Sequence, residues 1–121
     1  MNLQTIDCDF SVCKVRDYSQ VDWNGGYCFT GQTEEENSLV CETIRVPSNT
    51  LEREDGWRAF RIQGPLDFGL TGILARISTL LADSGIGIFA VSTYNTDYVF
   101  TKKENADQAL AVLARAGYNI V

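Results

Sequence analysis

The 121-residue chain contains no histidine. That single absence removes the commonest general base and metal ligand, so Ser-His, Cys-His and His-metal chemistries are all excluded. Carboxylates, lysines and tyrosines are present, but none cluster as a recognisable catalytic motif. Ser, Cys and Lys nucleophiles stand without a base at any informative spacing, and a non-enzymatic role is expected. Basic residues are scarce: 10 Lys and Arg against 16 Asp and Glu leave a net charge of -6. Such a field repels phosphate backbones, so nucleic acid is not an expected partner. No stretch approaches the roughly 20 apolar residues of a membrane span, and Met1 to Asp9 lacks the charged-then-apolar pattern of a signal peptide. No membrane partner and a cytoplasmic location are expected.

Proline is nearly absent too, with 2 residues, and 45% hydrophobic against 21% charged residues is the composition of an ordinary folded domain. At this length the chain is one domain, expected to be built from two small halves, 1–56 and 57–121. The four cysteines, Cys8, Cys13, Cys28 and Cys41, all lie in the first third at spacings that match no zinc pattern. Metal binding is not expected. They read as reduced thiols acting as small hydrophobes on strands, with disulfides left open by their even number should the compartment be oxidising.

The first half reads as strands over Phe10–Arg16, Gly26–Gly31 and Leu39–Val46, with the Gln32–Ser38 run, including Glu34, Glu35 and Glu36, closing a hairpin. Pro47–Gly56 is polar and punctuated and reads as a connector. In the second half, Trp57–Ile62 alternates as a strand. From Leu70 the positions Leu70, Ile73, Leu74, Ile77, Leu80 and Leu81 mark one face of an amphipathic helix, stopped at Gly85. A strand at Ile86–Thr93, a turn at Tyr94–Asp97, a strand at Tyr98–Thr101, a helix at Glu104–Ala116 and a last strand at Tyr118–Val121 follow. The order is βαββαβ, the ferredoxin-like split unit. Gly87, within a strand, reads equally as close approach of a ligand or backbone and as packing against the helix that carries Gly72.

Candidate chemistry concentrates in Gly64–Gly72, which leads from a strand into a helix N-terminus. Backbone N–H groups there suit a carboxylate or phosphate, and Gly69 and Gly72 remove side chains that would block it. Loop flexibility alone explains the glycines as well. The spacing is neither G-x-G-x-x-G nor a Walker A, so a nucleotide cofactor is not supported and no cofactor is expected. Asp67 beside this loop and Asp97 in the hairpin turn add carboxylates, and a carboxylate near an anion cradle suggests a zwitterion such as an amino acid. Helix capping and turn chemistry are the alternative roles for the two aspartates.

The run Phe60–Ala75, continued by Ser84–Val99, resembles ACT domains. The likeness is to the small bacterial stand-alone branch related to aspartate kinase regulatory domains and to the cytosolic arginine sensors acting upstream of mTOR. It covers Trp57–Val121; the first half is similar only in strand layout. The resemblance implies an α+β protein with a ferredoxin-like ACT unit in the C-terminal half and an incomplete, strand-rich ACT-like unit in the N-terminal half. It implies a non-catalytic, allosteric amino-acid-binding module and a homodimer, or pairing of the halves within one chain before dimerisation. Carried over by position, the ligand would meet Asp67, Phe68, Gly69, Leu70, Thr71 and Gly72 on the loop, and Ile88, Phe89, Ser92, Thr93, Thr96 and Asp97 on the hairpin. A ligand-free protein–protein interaction module and a small hydrolase or transferase are the alternatives. For the latter, Arg61–Gly64 is faintly similar to the phosphate-loop lead-in of acylphosphatases, but no cation precedes Arg76, which is expected well along the helix.

Overall fold

A computed structural model describes residues 1–63 and 71–121. Its elements in chain order are β1 (Asn2–Val15), β2 (Cys28–Gln32), β3 (Asn37–Glu42), β4 (Thr50–Ile62), α1 (Ile73–Asp83), β5 (Ile88–Ser92), β6 (Asp97–Lys102), α2 (Ala106–Arg115) and β7 (Asn119–Ile120). One-turn 3-10 helices, Thr43–Arg45 and Lys103–Asn105, follow β3 and β6. Among the described residues strands dominate, with two α-helices. No described helix is long and apolar enough to cross a membrane.

The chain divides into two compact units, Met1–Asp7 with Arg58–Val121, and Cys8–Trp57. In the first, β7 runs parallel to the start of β1, with Asn2 opposite Asn119 and Leu3 opposite Ile120. The end of β4 lies beside that stretch of β1, Gln63 N–H donating to Asn2 O at 2.9 Å, and β6 and β5 continue the sheet. Both helices belong to this unit. Ile77 and Leu81 of α1 and Ala109 and Leu113 of α2 are buried against Leu3, Phe60, Ile62 and Val99 from the strands. The apolar spacing that marks one face of α1 is thus the face that forms the core.

Each helix ends as its glycine requires. Gly85 (φ 73°) and Gly117 (φ 105°) take the left-handed conformation that side chains resist. Ile86 N–H then reaches back to Leu81 O at 2.9 Å and Tyr118 N–H to Leu113 O at 3.1 Å, giving each helix the paired C-terminal bonds of a Schellman motif.

In the second unit the strands run β2, β3, β1, β4, with Cys41 opposite Cys28 on β2 and opposite Ser11 on β1. Its core is smaller: Cys13, Val15, Leu39 and Cys41, with Tyr18, Val21, Cys28 and Val46 packed on it. All four cysteines are free thiols.

Two expectations need correction. The expected connector Pro47–Gly56 is largely strand, because β4 starts at Thr50. Its side chains from Leu51 to Asp55 are exposed, so composition reflects solvent while backbone pairing decides structure. β1 starts at Asn2, not Phe10; Leu3 and Ile6 are buried but three residues apart, so no period-2 alternation announces the strand.

Candidate functional site

The site expected from the sequence joins a strand exit to the start of α1. Of its loop positions, Asp67, Phe68, Gly69 and Leu70 lie outside the described residues. Thr71 and Gly72 are described and exposed. Gly72 is the N-cap of α1 at φ 77°, ψ 0°, and supplies no side chain to cap the first turn. Its carbonyl accepts the first helical bond from Arg76 N–H at 2.9 Å. The N–H groups preceding Arg76 have no partner one turn back within the helix, the usual state of a helix N-terminus, so this end carries partial positive charge. A Cβ at Gly72 would meet nothing within 4 Å among the described residues. The glycine is therefore required by its backbone angle and not by crowding.

Beside this helix start opens a cavity of about 340 Å³, lined by Thr71, Gly72, Ile73, Arg76, Gly117 and Tyr118, among others. The Arg76 guanidinium lies 5.9 Å from the centre of the Tyr118 ring and donates to Ala116 O at 3.4 Å. It is held at the cavity wall by a cation–π contact and a carbonyl at the end of α2. This corrects the expectation that Arg76 lies well along the helix. With Gly72 as the cap, Arg76 is the fourth helical residue and its side chain reaches the helix start. Treating Leu70 as the first helical position concealed this; the left-handed glycine two residues later was the available signal.

The hairpin positions serve differently. Ser92 stands opposite Asp97 in the β5–β6 ladder, and its hydroxyl donates to Asp97 Oδ1 at 2.5 Å. Thr93 closes the turn, its N–H donating to Thr96 O at 2.8 Å and its hydroxyl to the same oxygen at 3.1 Å. Thr96 is buried, and its hydroxyl donates to Ile62 O at 2.5 Å. That bond ties the turn to the last residue of β4, close to where the expected loop departs. Ile88 packs on the core, and Phe89 lies flat on Phe100 with centroids 4.5 Å apart. The structure thus brings the hairpin turn to the strand exit, and Thr71 and Gly72 to the cavity. No hairpin residue lines that cavity. At Gly87 a Cβ would meet nothing within 4 Å among the described residues, so neither suggested close approach is observed there.

Among the described residues no cluster of three or more His, Cys, Asp or Glu could hold a metal ion. The groups with displaced protonation described here lie in the Cys8–Trp57 unit. The Ser11 hydroxyl, then Arg53, hold Asp55 below the ordinary carboxylate range, and Ser19 does the same for Asp17. A hydrogen bond from Cys41 lowers Cys13, whereas that bond and burial push Cys41 up.

The described elements from β4 to β7 follow the order strand, helix, strand, strand, helix, strand, and a cavity lies beside the start of the first helix, the layout of a mixed α/β domain. The ACT domain family model matches residues 52–115, just over half the chain, and the chain belongs to the ACT-domain family. Domains of this family are typically regulatory, bind amino acids and are generally non-catalytic. A crystal structure from Agobacterium tumefaciens is similar at 28% identity and a TM-score of 0.87, covering 99% of this chain and 91% of that one. A Vibrio cholerae protein of unknown function is similar at 22% identity and a TM-score of 0.70, covering 93% and 86%. Aspartate kinase from Clostridium acetobutylicum matches at 14% identity and a TM-score of 0.68, covering 94% of this chain but 33% of the kinase. The last two likenesses carry the fold alone, and the kinase likeness spans a third of that enzyme.

Proposed function

We propose that this chain is a non-catalytic regulatory module that binds a small amino acid or similar zwitterion at the start of α1. The observation that carries this reading is the α1 N-terminus, whose cap residue Gly72 has no side chain, beside a cavity that also presents Arg76. A ligand carboxylate there would meet helix N–H groups and a guanidinium, both suited to negative charge. In the homodimer its ammonium would be met by Asp67 or by Asp97, the loop positions Phe68, Gly69, Leu70 and Thr71 coming from one unit and the hairpin positions Ile88, Phe89, Ser92, Thr93, Thr96 and Asp97 from the unit paired with it. In the same reading 57–121 is a ferredoxin-like ACT unit, 1–56 an incomplete ACT-like half, and the protein a cytoplasmic homodimer.

A thermal-shift screen of the purified protein against the common amino acids tests it. A ligand at about one hundred times its dissociation constant should stabilise the fold by roughly 2.7 kcal/mol. Asp97→Asn keeps an acceptor for Ser92 but removes the charge, so affinity should fall about ten- to one-hundredfold. Silence across the whole screen at millimolar concentration, with a protein partner co-purifying, would instead establish the interaction-module alternative.

A further inference from the structure

The Cys8–Trp57 unit holds three of its four thiols together. Cys28 stands opposite Cys41 in the β2–β3 ladder. Cys41 also stands opposite Ser11 on β1, which puts Cys13, two residues along, diagonally beside it on the same face. Cys13 and Cys41 are buried and hydrogen-bonded to each other, while Cys28 packs on the same cluster and is part-exposed. Cys8 lies outside that cluster. The turn bond fixes what kind of pair Cys28 and Cys41 form. Thr33 N–H donates to Glu36 O at 2.9 Å, so Thr33 and Glu36 are a hydrogen-bonded pair. Hydrogen-bonded and non-hydrogen-bonded pairs alternate along an antiparallel ladder, and the register runs unbroken from Gln32–Asn37 to Cys28–Cys41, which makes the last of these pairs non-hydrogen-bonded. In such a pair the Cα atoms stand about 4.5 Å apart with their side chains at their closest, within the roughly 4.4–6.8 Å that a disulfide spans.

We infer that Cys28 and Cys41 are an oxidation site, closed to a cross-strand disulfide by a hydroperoxide. Cys28, the more exposed thiol, attacks first. Its Sγ bonds to the terminal peroxide oxygen as the O–O bond breaks, leaving a sulfenic acid and releasing an alcohol, or water when the oxidant is hydrogen peroxide. Cys41 Sγ then attacks Cys28 Sγ: the S–S bond forms, the S–O bond breaks, and the hydroxide leaves with the Cys41 proton as water. The two thiols give up two electrons and two protons, and the peroxide takes up both. Burial, then Asp22, push the Cys28 thiol up, and the bond to Cys13, then burial, push Cys41 up, so the pair reacts slowly and responds to sustained oxidant. β2 lies at the end of this unit's strand order, and the link fastens it to β3 over a small core. The oxidised unit should therefore be the more stable one. The inference does not depend on the α1 site, which contains no cysteine among its described residues.

The test incubates the reduced protein with hydrogen peroxide, alkylates the remaining thiols in acidic denaturant, and maps non-reduced digests by mass spectrometry. Cleavage after glutamate separates the two cysteines, because Glu34, Glu35 and Glu36 lie between them. A Cys28 peptide joined to a Cys41 peptide is expected, with Cys8 and Cys13 alkylated. The melting temperature should rise by several degrees on oxidation and return with dithiothreitol. Cys28→Ser should lose both the link and the rise, whereas Cys8→Ser should keep both. A Cys13–Cys41 link in their place would overturn the pair, as would Cys28 carried on to sulfinic acid with Cys41 still a thiol, or four free thiols after prolonged exposure. A link that joins two chains on a non-reducing gel would overturn it as well.

Discussion

Residues 28–45 and 88–105 are two copies of one local structure set sixty positions apart. Cys28–Gln32 and Asn37–Glu42 correspond to Ile88–Ser92 and Asp97–Lys102, and each pair ends in a one-turn 3-10 helix, Thr43–Arg45 or Lys103–Asn105. The registers agree as well, Cys28 opposite Cys41 and Ile88 opposite Thr101. Both turns close identically: Thr33 N–H donates to Glu36 O at 2.9 Å, and Thr93 N–H to Thr96 O at 2.8 Å. What surrounds the hairpins differs. Each strand pair in the Cys8–Trp57 unit is flanked by irregular chain, whereas β5–β6 is preceded by α1 and followed by α2. The strands supply a frame in both units, but only the helix-bearing one acquires a helix N-terminus and helix-walled cavities. The candidate ligand site therefore belongs to the unit where helices were added to the frame.

The largest expected effect measures what the helices contribute. Leu113 is fully buried among residues from strands and both helices, while Leu39 is equally buried in a cluster made mostly of strand residues. Truncation of a buried leucine costs about 2–5 kcal/mol, depending on how far the surroundings collapse. Leu113→Ala should fall at the upper end and Leu39→Ala at the lower, measured by urea denaturation. Equal losses would show that the strand frame alone sets the stability of both units. Gly72 comes next: a β-branched residue at φ 77° is strained, so Gly72→Val should cost about 1–2 kcal/mol even with open space for the side chain.

A smaller effect should separate the two turns. Thr96 is buried and bonded to Ile62 O, while Glu36, sixty positions earlier, is exposed. Thr96→Val should cost about 1–3 kcal/mol by leaving a carbonyl unpaired, whereas Glu36→Val should stay within about 0.5 kcal/mol. Thermal melts of the two variants decide whether the turns are equivalent in energy as they are in backbone.

How much of this was legible follows from where the signals lie. The second half announced itself through the spacing of Ile73, Ile77 and Leu81 and through Gly85 and Gly117, because apolar periodicity and left-handed caps are local and chemically specific. The repeat did not. Across the eighteen paired positions only Phe29 with Phe89 and Thr33 with Thr93 are identical, so the shared register rests on backbone pairing that many side chains satisfy. Strand β4 escaped notice from Thr50 to Asp55 for the same reason, Glu52 to Asp55 being charged and exposed while the chain there is strand. Arg76 was visible as a residue and misplaced as a neighbour, since the helix start depends on a backbone angle at Gly72.

The smallest effect concerns acid and belongs to the unit without helices. Asp55 is bonded by the fully buried Ser11, whose hydroxyl donates to Asp55 Oδ1 at 2.5 Å. Ser11 has one hydrogen to give, and an ionised Asp55 can only accept. Thr43 must therefore donate to Ser11 across their 2.8 Å contact, which completes a chain ending on the carboxylate. Arg53 approaches the same group at 3.1 and 3.3 Å. These donors depress the carboxyl from its ordinary value of 3.8. A depressed carboxyl stabilises the fold above its unfolded pKa, and the contribution is lost as pH falls through the folded value. Stability should therefore decline as pH drops below about 4, with Asp17 adding to the slope through its bonds from Ser19. Asp55→Asn should flatten part of that acid limb, and Asp17→Asn another part. Because the Ser11 bond outranks the exposed Arg53 pair as the cause, salt should change the Asp55 share little. Denaturant midpoints between pH 2.5 and 6, at low and high salt, provide the check. An acid limb that survives unchanged in Asp55→Asn would remove the Ser11–Asp55 link from the account of this unit's stability.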